Sequence, residues 1–326
     1  MATRIPHLLE PYLCLPPESS LTLLTGVLGA STNWLVLRYL YSLLANTPHT
    51  NLHSHGPSSS SDPTGSGTEP VRVVFLSFLR DYAFWKDNAA RLGIDLDSAS
   101  AKARFVYVDG LTNLFSGGDG GAAAAAAASS SLSAPLGRIS GSGSARLTLN
   151  EPTAAALRDV LELAVGQRPQ PTTSRPAAGG GDGGGDAVAG PAQVKTVLVV
   201  DQMDLLVAAS GDASLQSGLA DALLDIREKV YSTIITLSAD EPLIQAQNTP
   251  LEKRHASLVL STAHTADLVI SVRLLDTGSA RDVSGVLRVT AGGSGGGDAG
   301  EPEPDERELL YHIGGDGAAR VFERGQ

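Results

Sequence analysis

Leu21-Thr22-Leu23-Leu24-Thr25-Gly26-Val27-Leu28-Gly29-Ala30-Ser31-Thr32-Asn33 is the stretch on which the reading of this chain turns. Leu21–Thr25 is a short apolar run closed by Gly26, the pattern of a strand buried on both faces of a parallel sheet. Ser31 or Thr32 then stands where a helix can be capped. Beyond them Trp34, Leu37, Leu40, Tyr41 and Leu44 recur at helical spacing. Strand, glycine turn and helix in that order make the scaffold of a phosphate loop. Such a loop needs glycines for close backbone approach, a lysine for the β and γ phosphates and a hydroxyl for magnesium. Laid on the G-x-x-x-x-G-K-[ST] pattern, Gly26 matches the first glycine. Ser31 takes the second glycine position, Thr32 the lysine and Asn33 the magnesium hydroxyl. The scaffold is kept and its chemistry is replaced.

One charge-assisted hydrogen bond contributes about 1.5–3 kcal/mol, so losing the lysine alone weakens triphosphate binding on the order of 10- to 100-fold. The helix start can still attract an anion weakly through its free N–H groups. Arg38 lies more than a turn further along and is a poor substitute for the lysine. Asp201 closes Lys195–Asp201 (KTVLVVD), where a Walker-B aspartate would hold magnesium. With no partner hydroxyl in the loop, Asp201 reads as a relic or as the cap of the following turn. No cofactor, metal or catalytic residue is expected at this site.

Working outward, Val71–Phe78 (VRVVFLSF) and Phe105–Val108 are further strands. A helix from about Asp81 places Tyr82, Trp85, Ala89 and Leu92 on one face, with Gly93 past its end. Asn150 is positioned to cap a helix with Pro152 in its first turn and Leu157, Val160, Leu161 and Ala164 inward. Leu215, Leu219, Leu223, Ile226 and Val230 make another stripe, and Leu251–Ala263 another helix, with strands at Thr233–Leu237 and Leu268–Leu274. The last part changes character. Val286–Thr290, Leu309–Ile313 and Ala319–Glu323 are short strands, and Gly314-Gly315-Asp316-Gly317 is a hairpin turn between the final two. Alternating strands and helices followed by a meander predict an α/β fold: a mostly parallel twisted sheet flanked by helices, with a C-terminal antiparallel extension. Ligands of such sheets sit at the carboxyl ends of the strands, here near Gly26–Asn33, Ser77–Asp81, Asp109, Asp201 and Ser238–Glu241.

The chain has 326 residues. Stretches 49–70, 116–148, 167–193 and 291–306, rich in Gly, Ser, Ala, Pro and acidic residues, read as disordered or low-complexity insertions. The remainder, roughly 230 residues, suits a single domain spanning 1–326. A net charge of −11 argues against a generally basic nucleic-acid binder. Cys14 is the only cysteine, which excludes an intrachain disulfide or a cysteine zinc site and suits a reducing compartment. Prolines interrupt the N-terminus where a signal peptide needs an apolar run. Residues 21–45 are long enough to span a bilayer, but Gly29–Asn33 breaks them at the midpoint, so no membrane segment is expected.

Other groupings carry less. His49, His53 and His55 lie in a Ser/Pro-rich linker without carboxylates at ligand spacing. His255 and His264 fall on a helix and read as packing or surface residues. Ser77 and Asp81 flank a strand end with no histidine placed to complete a triad. Trp34 and Trp85 read as core or interface side chains. Asp225 and Lys229 read as an ordinary helix-surface pair, and Arg273, Arg281 and Arg288 as a solvated strip near the meander.

Several segments together resemble a known family: Ser77–Asp97, Phe105–Phe115, Val197–Ala208, Ala266–Val289 and Leu309–Gly325. Their ordered series is similar to the sixth subunit of the Elongator complex in its filamentous-fungal form. The resemblance implies a RecA-like fold without usable Walker motifs. It implies partners as well: a heterohexameric ring with the fourth and fifth Elongator subunits, two copies of each. That ring supports transfer-RNA wobble-uridine modification and transfer-RNA binding by the larger complex, in cytoplasm and nucleus. The degenerate loop of Gly26, Ser31, Thr32 and Asn33 agrees with it independently. Two other readings stay open on sequence alone: an ATPase whose site a partner subunit completes, and a recombination accessory protein that binds DNA.

Overall fold

The computed structural model describes residues 5–45, 71–114, 146–167, 194–210, 215–278, 280–294 and 305–324. Among the described residues ten strands form one sheet in the order β10-β9-β8-β7-β1-β6-β5-β2-β3-β4. They are β1 (Leu21–Gly26), β2 (Val71–Ser77), β3 (Phe105–Asp109), β4 (Arg146–Thr148), β5 (Lys195–Asp201), β6 (Ser232–Ser238), β7 (Leu268–Arg273), β8 (Gly285–Ala291), β9 (Arg307–Ile313) and β10 (Ala319–Phe322). From β7 to β4 all neighbours are parallel. From β7 to β10 they are antiparallel. The α/β architecture expected from sequence, a parallel sheet with an antiparallel C-terminal meander, is therefore the observed one.

The central strands are apolar without alternation because both faces are covered. On β2, Val73 and Phe75 pack into one core together with Val197, Val199 and Ile234. That core is closed by α1 (Asn33–Leu44), α2 (Tyr82–Arg91) and α3 (Leu96–Ala101). Val74 and Leu76, one residue out of phase, pack into the other core with Leu198, Val200 and Ile235. This second core is closed by α4 (Ala154–Gly166), α5 (Asp204–Ser210), α6 (Leu215–Arg227) and α8 (Pro250–Thr265). A short α7 (Glu241–Gln245) follows β6. Trp85 is fully buried edge-on against Phe75, and Trp34 stacks on Tyr311 of β9, so both tryptophans are core residues.

Two buried arginines brace helices from neighbouring elements. Arg72 of β2 donates to the carbonyls of Ala164 and Val165 at 2.6 and 2.9 Å, satisfying the end of α4 where the helix dipole is negative. Arg38 of α1 donates to Trp34 O and to Gly317 O in the β9–β10 turn.

Several local expectations need correction. Thr153, not Asn150, caps α4: its hydroxyl accepts from the amide of Ala156. The range 116–148 extends three residues too far, because Arg146–Thr148 forms β4 beside β3. Likewise Ala291 ends β8 and does not open an insertion. Residues 116–145 and 295–304, together with the 49–70 range, 168–193 and His49, His53 and His55, lie outside the described residues. Asp225 and Lys229 each reach α4: Asp225 of α6 pairs with Arg158, and Lys229, two residues past the end of α6, pairs with Glu162, which fastens the end of α6 to α4. Residues 21–45 divide into β1, a turn and α1, and among the described residues no helix is long and apolar enough to cross a membrane.

Candidate functional site

The carboxyl ends of β7, β1, β6, β5, β2 and β3 lie in a row, and the Gly26–Asn33 loop follows β1. Gly26 pairs with Ser238 of β6, and its carbonyl accepts from the amide of Ala239 at 2.7 Å. The loop then folds on itself. Ala30 N donates to Val27 O at 2.8 Å and Val27 N donates back to Ala30 O at 3.2 Å. Gly29 takes φ +88°, the left-handed conformation that the third residue of such a tight turn needs. A Cβ on Gly26 would meet Ala30 O at 2.7 Å, so the fold-back also explains the one glycine that matches the motif. Val27 and Ala30 thus spend their amides inside the loop, where a phosphate cradle would leave amides free for an anion.

The tip of the loop is tied down as well. Leu28 is 87% exposed, yet its amide donates to Asp240 Oδ1 at 2.7 Å. Asp240 is the N-cap residue of α7, but its side chain makes no bond to its own helix. A carboxylate of the protein holds the loop amide that an incoming anion would need. Ser31 Oγ accepts from Asn33 N at 3.1 Å, while Thr32, the residue at α1's N-cap, makes no side-chain capping bond. Thr32 Oγ1 is buried without a hydrogen-bond partner. Arg38 is directed to the β9–β10 turn.

Asp201 is fully buried at the end of β5. Its Oδ2 accepts from Ser77 Oγ at 2.9 Å and its Oδ1 from Thr236 Oγ1 at 3.0 Å. Ser77 Oγ in turn accepts from Trp85 Nε1, and Thr236 Oγ1 from the amide of Gln202. Burial pushes the Asp201 carboxyl up to about 6, and the two hydroxyls oppose the shift only in part. Gln202, at φ +55°, accepts from Ser238 Oγ, and His255 Nε2 sits 2.9 Å from Ser238 O. A chain of polar contacts therefore runs from α2 through β2, β5 and β6 to α8, with Asp201 at its centre. No hydrogen bond among the described residues links Asp201 to the Gly26–Asn33 loop; β6 lies between their strands.

The remaining sequence candidates serve local structure. Asp81 caps α2 through the amide of Phe84, and Asp109 accepts from Leu111 N, Thr112 N and Thr112 Oγ1 in the turn after β3. Arg273 is paired with Asp276 and Glu308. His264 is exposed at the end of α8. Among the described residues no group of three or more His, Cys, Asp or Glu is arranged to hold a metal. Ser77 and the Ser238–Glu241 stretch that holds Asp240 were among the strand-end positions expected from sequence; Thr236, the other hydroxyl on Asp201, is the site residue that sequence reasoning missed. Asp240 had a visible signal, an acidic residue one step before Glu241-Pro242 at a helix start. That signal predicts a local cap, not a bond to a loop 212 positions away.

No protein-family model matches the chain. Over 133 residues it is 30% identical to the Elongator complex protein 6 homolog of Schizosaccharomyces pombe, which is 40% of this chain and 49% of that protein. The match thus spans about half the length of the relative. A KaiC-like protein from the hyperthermophilic archaeon Pyrococcus horikoshii OT3 superimposes with a TM-score of 0.51 at 13% identity, covering 98% of this chain and 97% of the other. That likeness speaks for the fold alone. This chain is a RecA-like α/β protein, part of which is similar to an Elongator subunit 6 homologue.

Proposed function

We propose that this chain is a non-catalytic, RecA-like subunit of an Elongator complex, of the sixth-subunit kind. It assembles with the fourth and fifth subunits into a heterohexameric ring that supports wobble-uridine modification of transfer RNA and transfer-RNA binding, in cytoplasm and nucleus. The observation that carries the reading is the state of the β1–α1 loop. It lacks the lysine, its Val27 and Ala30 amides bond within the loop, and its Leu28 amide is held by Asp240. Gly26, Ser31, Thr32 and Asn33 are then a phosphate-loop remnant, and Asp201 a Walker-B-like remnant turned into a structural hub. The partial similarity to an Elongator subunit 6 homologue supplies the complex.

Co-expression with the fourth and fifth subunits tests the assembly. A stable stoichiometric complex by size exclusion and native mass spectrometry is expected, and a well-behaved monomer that ignores both partners sinks the proposal. Calorimetry with ATP and magnesium tests the absence of catalysis. Micromolar binding abolished by Asp201→Ala would favour an ATPase instead.

A further inference from the structure

We propose that the Asp316-Gly317 peptide of the β9–β10 turn is a site of spontaneous isoaspartate formation, and that the modification releases Arg38 from the turn. Among the described residues two aspartates precede a glycine, Asp109 and Asp316. Such pairs are open to the reaction because no side chain on the following residue hinders approach to its nitrogen. Both glycine amides are bonded to a carbonyl at 2.9 Å, Gly317 N to Gly314 O and Gly110 N to Ser77 O. The difference lies in the carboxyl and the room around it. Asp316 is exposed, and its carboxyl is folded back over the Gly317 peptide by one hydrogen bond, from Ala318 N to Oδ1 at 3.0 Å. Nothing lies within 4 Å of where a Cβ on Gly317 would stand. Asp109 has both oxygens engaged, Oδ1 by Leu111 N and Thr112 N and Oδ2 by Thr112 Oγ1, and turning its carboxyl breaks all three bonds. Gly110 is buried, and a Cβ there would meet Phe78 Cδ1 at 2.7 Å and Ser77 O at 3.0 Å.

The chemistry balances with water as its one co-reactant. Gly317 N attacks Cγ of the protonated Asp316 carboxyl; the amide proton leaves with the carboxyl hydroxyl as water, and a five-membered succinimide closes. Water then adds at the former main-chain carbonyl of Asp316 and its bond to Gly317 N breaks. The chain now runs through the side-chain carbonyl, and the main-chain carbonyl has become a free carboxylate. The charge is unchanged, but the backbone is longer by one methylene, about 1.5 Å of added path. That longer link lies directly before Gly317, whose carbonyl accepts from Arg38 Nη2 at 2.7 Å. Arg38 is buried, its Nε has no partner, and its other bond stays within α1 at Trp34 O. Displacing Gly317 O therefore removes the bond that ties the guanidinium to the meander.

The test ages the full chain at neutral pH and body temperature, both native and in denaturant, and locates isoaspartate by peptide mass spectrometry and enzymatic isoaspartyl methylation. In denaturant the two sites should react at comparable rates. In the native chain isoaspartate at Asp316 is expected to exceed that at Asp109 at least about 10-fold, the equivalent of the extra hydrogen bonds that Asp109 must break. The isomerised fraction, separated by chromatography, should exchange amide hydrogens of α1 and of β9–β10 about 10-fold faster than the fresh chain, as expected for one lost bond to a charged group. Asp316→Glu keeps the charge but must close a six-membered ring, so it should age without either change. Native isoaspartate that is equal at the two sites, or missing at Asp316, overturns the site. Isoaspartate at Asp316 with unchanged exchange overturns the release of Arg38, and so does exchange that quickens equally in aged Asp316→Glu.

Discussion

The guanidinium of Arg38 donates a 2.7 Å hydrogen bond to the carbonyl of Gly317, joining α1 to the β9–β10 hairpin turn at the far edge of the sheet. Among the described residues Arg38 has no carboxylate partner. Its second bond goes to Trp34 O within α1, its guanidinium lies 5.8 Å from the Trp34 ring centre, and its Nε is buried without a hydrogen-bond partner. Burial pulls its pKa down to about 10, so the charged form is held at some expense. The return is the docking of the meander on α1, where Trp34 and Tyr311 stack.

Arg38→Ala removes those contacts and leaves a cavity, and should destabilise the chain by about 2–4 kcal/mol. Arg38→Met keeps the volume and removes the buried charge, so about half that loss is expected. Denaturant unfolding of both variants measures the difference. Equal losses would show that charge, not packing, holds the turn.

Asp201 makes stability depend on pH in an unusual direction. Its folded pKa stands near 6, above the ordinary 3.8, so the folded chain binds more protons than the unfolded one between those values. Its contribution is then fully present below pH ~4 and is lost as pH rises through ~6. Asp201→Asn removes the charge and keeps one acceptor, while the Ser77 or Thr236 hydroxyl facing the new amide must reverse its bond. The variant should gain about 1–2 kcal/mol over the parent at pH 8. The gain should shrink or change sign at pH 4.5. Thermal melts at the two pH values read it, and a gain independent of pH would contradict the buried-carboxylate account.

Arg72 supports α4 from the neighbouring sheet. Replacing it by Met leaves the carbonyls of Ala164 and Val165 unsatisfied beside the core, and a loss of about 1–3 kcal/mol is expected. Hydrogen exchange should rise first in the last turn of α4 and spread to α6, which is fastened to it by Arg158–Asp225 and Glu162–Lys229. Arg72→Lys keeps the charge but not the fork to two carbonyls, and should recover only part of the loss.

How much of this was legible beforehand follows from the physics of each element. β2, β5 and β6 could be read because strands buried on both faces are rich in apolar and β-branched residues without strict alternation. α2 and α6 could be read because a helix with one buried face repeats at 3.6 residues, whereas α1, buried from Trp34 to Leu44, showed only part of its buried surface in that spacing. β4 could not: Arg146–Thr148 is three residues long, follows a Gly/Ser run and gains its place only by pairing with Tyr107–Asp109. α5 and α7 are too short to show a period. At the site, the sequence showed which residues stand at the positions where a phosphate loop would carry its second glycine, lysine and hydroxyl. What replaced them, the Asp240 carboxylate on Leu28 and the hydroxyls of Ser77 and Thr236 on Asp201, depends on strand order, and no local pattern encodes that.

Two glycines of the C-terminal region separate close packing from turn flexibility. A Cβ on Gly285, the first residue of β8, would stand 2.2 Å from Arg273 O and 2.8 Å from the Tyr311 hydroxyl, so the β7 backbone and the Tyr311 side chain can lie this close to β8 only because no side chain intervenes. Gly285→Ala must push β8 away from both neighbours. It should destabilise by about 1–3 kcal/mol, the ordinary range for an overpacked core position. It should also loosen the meander against α1 through Tyr311 and Trp34. Gly315, in the β9–β10 turn, has nothing within 4 Å of the same atom. Gly315→Ala should therefore stay within about 0.5 kcal/mol of the parent. Urea midpoints for the pair test the register directly, because a slip of β8 by one residue would move the crowded position off Gly285 and make the two substitutions equivalent.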